Sequence, residues 1–94
     1  MINQKLEETF NDLKEKTKDC YDILEFRRIA TPVVQKIINL YWKEIENSVL
    51  SETYLLNEIL EGLNSCIPPQ LPYRVLAINS ETGGTNFGFI RLNQ

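Results

Sequence analysis

Four arginines, Arg27, Arg28, Arg74 and Arg91, and the segment Glu81-Thr82-Gly83-Gly84-Thr85-Asn86 are the residues of this chain best suited to ligand chemistry. A planar guanidinium grips phosphate or carboxylate through two parallel N–H donors. Adjacent glycines let backbone N–H groups approach an anion closely, and Thr82 and Thr85 add hydroxyl donors. Phe87, Phe89 and Tyr73 offer aromatic faces on which a base can stack. Brought to one face, within one chain or across a subunit boundary of an oligomer, these residues would form a pocket for a small anion such as a nucleotide. The glycines and two of the arginines also have a purely structural reading. Gly83 and Gly84 supply the positive φ of a tight turn. Arg27 and Arg28 complement the C-terminal dipole of a long first helix. A phosphate loop would need a lysine at a spacing that is absent.

A second set is acidic. Between Pro32 and Asn64 five glutamates face two lysines, within a chain of net charge −3. Glu44, Glu46, Glu58 and Glu61 form an acidic surface on two neighbouring helices, suited to a protein partner. That balance argues against general nucleic-acid binding, which calls for a basic face.

Other chemistry is thinly equipped. The chain has no histidine, which removes the commonest general base and metal ligand. Cys20 and Cys66 lie far apart without companion ligands, so no zinc site or redox pair is expected, and both read as buried free thiols of a reducing cytosol. The serines lack a base and a nucleophile-elbow context. No catalytic residue, metal or cofactor is assigned, and the expectation is a non-enzymatic protein. The first residues lack the apolar core of a signal peptide and no run approaches a membrane span, so a cytoplasmic protein without membrane contact is expected.

These residues need elements to hold them. Leu6, Phe10, Leu13, Thr17, Cys20 and Leu24 recur at alternating steps of four and three, the seam of one long helix over residues 3–30. Thr31 as N-cap and Pro32 in the first turn open a second helix over 32–47. Its dense apolar content, with Tyr41 and Trp42 as core residues, makes it the central one. Ser48 or Ser51 caps a third over 52–63, with Gly62 near its end. Three prolines in 65–72 fix an extended connector that lays the C-terminal segment across the helices.

Tyr73–Leu92 reads as a β-hairpin around Gly83-Gly84. By period-2 alternation Val75 and Ala77 share one face, and Leu76 and Ile78 the other. Phe87 and Phe89 likewise oppose Ile90 and Leu92. Gly88 signals a bulge or a close approach, with a helix packed over it as the favoured form. Two apolar faces on one hairpin call for cover on both sides, and hence for a second copy of the chain.

The sequence therefore predicts a single α+β domain of three helices and a C-terminal hairpin, completed by homo-oligomerisation. The expected function is that of a small binding protein (an inhibitor, immunity-type or adaptor module) acting through a protein partner. The alternative is an oligomer that sequesters a small anionic ligand through the arginines and the Gly-Gly loop.

Overall fold

A computed structural model describes residues 2–79 and 86–92. The expected turn residues Thr82, Gly83, Gly84 and Thr85 lie outside them. The chain forms α1 (Ile2–Thr17), α2 (Ile23–Glu46), α3 (Glu52–Cys66), β1 (Tyr73–Asn79) and β2 (Asn86–Arg91). The α+β class stands: three helices precede a two-stranded antiparallel hairpin.

The first helix boundary falls elsewhere than expected. One helix does not run from 3 to 30; the chain breaks after Thr17 and restarts at Ile23. Asp22 is the N-cap: it is extended (φ −131°, ψ 128°) and its carboxylate accepts the Leu24 N–H at 3.0 Å. Glu25 stands three residues on, so Asp22-Ile23-Leu24-Glu25 has the capping-box pattern. The apolar seam crosses this break, because Cys20 is buried like Leu6, Phe10, Leu13 and Thr17, whereas Leu24 is exposed. A seam shows which side is buried and carries no information on where the backbone stops being helical.

Pro32, expected to open a helix, lies well inside α2. A proline at this place has no N–H for the Arg28 carbonyl and crowds it with its ring, at a cost of about 3 kcal/mol. Phe26, Ala30, Val34, Ile37 and Ile38 form one buried stripe on both sides of it, and that packing holds the helix together. Thr31 is not a cap; its hydroxyl donates back to the Arg27 carbonyl at 2.7 Å. Arg27 and Arg28 thus sit near the start of α2, not at a helix C-terminus, and the dipole argument for them falls.

α2 ends in a Schellman turn. The Val49 N–H reaches the Glu44 carbonyl at 2.9 Å and the Ser48 N–H reaches Ile45 at 3.1 Å, with Ser48 at φ 60°. Ser51, not Ser48, caps α3, accepting the Tyr54 N–H at 3.3 Å. Trp42 is exposed rather than core, its indole N–H held by the Glu46 carboxylate at 2.6 Å.

Leu6, Phe10 and Leu13 of α1 pack with Leu55, Ile59 and Leu63 of α3 and the α2 stripe into one core, which Leu71, Val75 and Phe87 close from the hairpin side. Buried polar groups join the chain at one end. The Thr17 hydroxyl lies 3.0 Å from the Leu13 carbonyl and 3.2 Å from that of Cys66, and the Cys66 thiol donates to the Phe10 carbonyl. Gln70 in the connector donates to the carbonyls of Lys18 and Cys20, both at 2.9 Å, and so fastens the link between α1 and α2.

The hairpin departs from simple alternation. Val75 pairs with Phe89 and Ala77 with Gly88, leaving Leu76 as an extra residue in a β-bulge. Leu76 and Ala77 both face outward, and Ile78 turns inward beside Val75. The expected pairing of Val75 with Ala77 and of Leu76 with Ile78 is thereby corrected. Gly88 does lie at a bulge, but it is exposed, and no helix packs over it. One face of the hairpin, with Val75, Phe87 and half-buried Phe89, rests on the helices, while Leu76, Ile90 and Leu92 on the other stay 45–55 % exposed.

Candidate functional site

The α1 and α3 helices meet along a groove whose floor is set by one glycine. The Phe10 ring sits against Gly62 of α3, in the space that any Cβ there would occupy. Leu6 and Phe10 provide an apolar floor. Glu7 and Asn11 of α1 form one wall, and Glu58, Glu61 and Ser65 of α3 the other, around a volume of about 340 Å3. The residues that follow Leu6 and Phe10 in the seam necessarily flank it, which places Glu7 and Asn11 at the rim. Among the described residues the ion pairs are Lys16–Asp12 and Lys18–Glu15, so the three groove carboxylates have no internal cation.

Beyond Ser65 lies a second cleft of about 410 Å3, lined by Lys14, Lys18, Cys66, Ile67, Pro68 and Pro69. The two clefts share Ser65, whose hydroxyl donates to the Gly62 carbonyl at 2.7 Å. The α1/α3 surface is therefore polar in the electrical sense: acidic near the start of α1, basic near its end. The Cys66 thiol lies beneath the second cleft and is held toward its protonated form. Burial pushes its pKa up, only partly countered by the Ser65 hydrogen bond and the Lys14 charge. Cys20 is pushed up as well, first by burial and then by its hydrogen bond to Glu25.

The acidic residues singled out in the sequence divide into two pairs. Glu58 and Glu61 share the groove. Glu44 and Glu46 lie at the far end of α2, where Glu46 holds Trp42 and the Glu44 backbone carbonyl closes the helix. Glu7, Asn11, Leu6, Phe10 and Gly62 were missed as site residues. The signal for them was the flank of the α1 seam, which the expectation of one long helix left undivided.

The arginines stand on separate elements of the described chain, Arg27 and Arg28 on α2, Arg74 on β1 and Arg91 on β2. Four clefts on the described surface are lined without any arginine. Arg74 pairs with Ile90 and Arg91 with Tyr73, adjacent register positions that alternate between the two faces of the hairpin. Arg27 and Arg28 are consecutive on α2, half-buried and exposed respectively. Phe87 and Phe89 meet edge to face at 5.9 Å, and Phe89 meets Phe26 at 6.5 Å, so these rings pack on the inner face of the hairpin rather than standing open for a base. Asn86 is exposed at the start of β2 opposite Asn79.

Among the described residues no group of three or more His, Cys, Asp or Glu side chains is placed to hold a metal ion, and no helix is long and apolar enough to cross a membrane. No family model, curated protein or solved structure matches this chain.

Proposed function

We propose that this chain is a non-enzymatic binding module that captures a basic segment of a protein partner in the α1/α3 groove. The observation that carries the reading is the facing of Glu7 against Glu58 and Glu61 across a floor of Leu6 and Phe10. A lysine or arginine side chain fits such a place in both of its parts, with its methylene stem on the apolar floor and its cation between carboxylates. An inhibitor, immunity-type or adaptor role follows from this kind of surface, because it holds a partner without transforming it. The lack of histidine and the raised pKa of both thiols support a binding role over a catalytic one.

The test is a panel of short fluorescent peptides, basic, neutral and acidic, titrated against the protein at two salt concentrations. Basic peptides carrying an apolar residue should bind, and more weakly at high salt. Reversal at the groove, Glu58→Lys with Glu61→Lys, should lower affinity about tenfold or more, roughly 1.4 kcal/mol. Reversal at the far acids, Glu44→Lys with Glu46→Lys, should leave it unchanged. Equal losses from both pairs, or binding of acidic peptides instead, would overturn the reading.

A further inference from the structure

The free edge of β2 carries backbone groups that nothing in the described chain takes up. Val75 donates its N–H to Asn64 Oδ1 at 2.8 Å and accepts from Asn64 Nδ2 at 3.0 Å, so both its backbone groups point away from β2. Val75 and Phe89 are thus a pair without mutual hydrogen bonds, and by antiparallel alternation Phe89, Phe87 and Arg91 aim their N–H and C=O groups away from β1. The Leu92 N–H agrees with this parity, since it turns inward to the Pro72 carbonyl at 2.7 Å. Gly88, Ile90, Arg91 and Leu92 are all exposed, so the edge is uncovered.

We propose that two copies of the chain join through β2, antiparallel about a two-fold axis at Phe89, into one four-stranded sheet. This interface is separate from the α1/α3 groove and does not rest on the binding role given to it. Three observations choose a second copy as the occupant. The first is register. Centring on Phe89 pairs every outward residue of both strands, Phe89 with Phe89 of the partner subunit and Arg91 with Phe87 of the partner subunit. Each such pair exchanges two backbone bonds.

The second is charge. Arg91 is the one charged residue of β2, and in this register it lies opposite Phe87 of the partner subunit rather than opposite its own copy, so no like charges meet. On the outer face Ile90 lies beside the bare backbone of Gly88 of the partner subunit. Apart from Arg91, the strand carries none of the usual guards of an open edge, having no lysine, no proline and no bulge of its own.

The third is closure. At Val75 the β1 edge is already filled by Asn64, so pairing through β2 ends at two copies and does not propagate into a fibre.

Paired cysteine variants read the register directly. Gly88 and Ile90 of the partner subunit would form a pair without mutual hydrogen bonds, with Cα atoms about 4.5 Å apart, inside disulfide range. A Cβ at Gly88 makes only ordinary 3.8 Å contacts with Ala77, so Gly88→Cys folds without strain. Gly88→Cys and Ile90→Cys are oxidised gently, each alone and then mixed, while light scattering gives the mass of the unmodified protein across a concentration series. The expected result is a dimer mass and a covalent dimer that forms in the mixture and not in either variant alone. Ile90→Lys, which places a charge at the joint without touching the core, should give a folded monomer. A monomeric mass at every concentration overturns the proposal, and so does a dimer whose cross-links form in either variant alone or not at all.

Discussion

Along β1, Val75 has both backbone groups satisfied by the amide of Asn64, a helical side chain that stands in for a neighbouring strand. Along β2, Phe87, Phe89 and Arg91 carry the same kinds of group, and no described residue meets them. The two edges belong to one hairpin with one twist and one register, so the difference lies in what the helices present to each. β1 lies against α3, from which Asn64 reaches it, and β2 meets the helices through the rings of Phe89 and Phe26. A ring packs a face; only an amide can finish an edge. The fold thus places the edge-capping Asn64 on the strand that lies against α3.

Removing that cap is the strongest way to break the contrast. Asn64→Leu leaves the Val75 N–H and C=O partly buried and unpaired, and should destabilise the chain by about 2–4 kcal/mol, read by chemical denaturation. It also opens the second edge. The variant should then form species larger than a dimer on light scattering, whereas an unchanged mass would show that α3 itself shields β1.

The two glycines nearest these regions sharpen the comparison next. At Gly62 a new Cβ falls within the Phe10 ring, which must move. Gly62→Ala should destabilise by about 1–2 kcal/mol, because overpacking of about 1–3 kcal/mol outweighs a helix-propensity gain of up to about 1 kcal/mol. Thermal melts give the size. The same displacement of Phe10 should weaken binding of a basic peptide in the groove, which links packing at this position to the proposed function.

The closed side has a pH signature as well. Cys66 ends α3, and Cys20 sits where Gln70 fastens the connector; both thiols have raised pKa values, chiefly from burial. An unfolded chain ionises its thiols first and so binds fewer protons than the folded chain above the ordinary thiol range. Stability is therefore fully present below that range and declines as pH climbs toward the folded values. Denaturation midpoints measured upward from neutral pH should fall, and less steeply in Cys20→Ala.

Much of this is legible in the sequence itself. The buried stripe Leu6-Phe10-Leu13-Thr17-Cys20, the α+β class and a serine cap on α3 all follow from spacing and side-chain type, whereas the choice of Ser51 over Ser48 and the inward face of Phe87 and Phe89 do not. The break after Thr17 was written in Asp22 and Glu25, but Pro32 is the louder signal, and local chemistry there lost to a buried stripe spanning both sides of it. The bulge at Leu76 had no local mark in β1, since Val75-Leu76-Ala77-Ile78 is apolar in every frame. Only Gly88, on the opposite strand, hinted at it. The groove was legible in half: Glu58 and Glu61 stood out as charge, whereas Glu7 and Gly62 acquire meaning only once α1 lies on α3. Asn64, the cap of the β1 edge, looked like any polar residue near a helix end.

Gly88→Ala is the gentlest probe and the counterpart of Gly62→Ala. At Gly88 the added methyl meets the Ala77 Cβ, N and O at 3.8 Å, ordinary contact, and the backbone there is not in the left-handed region that favours glycine. With no strain in the folded state, the main effect is on the unfolded chain, which loses freedom when glycine is replaced. The variant should gain about 0.4–1 kcal/mol, seen as a small rise in melting temperature. A methyl beside Ile90 also leaves the proposed β2 joint intact, so the dimer mass should persist. The same substitution would then lower stability on the side of the molecule where α1 and α3 are closed together and raise it at the open edge, and a loss at Gly88 as large as that at Gly62 would mean that β2 is not open at all.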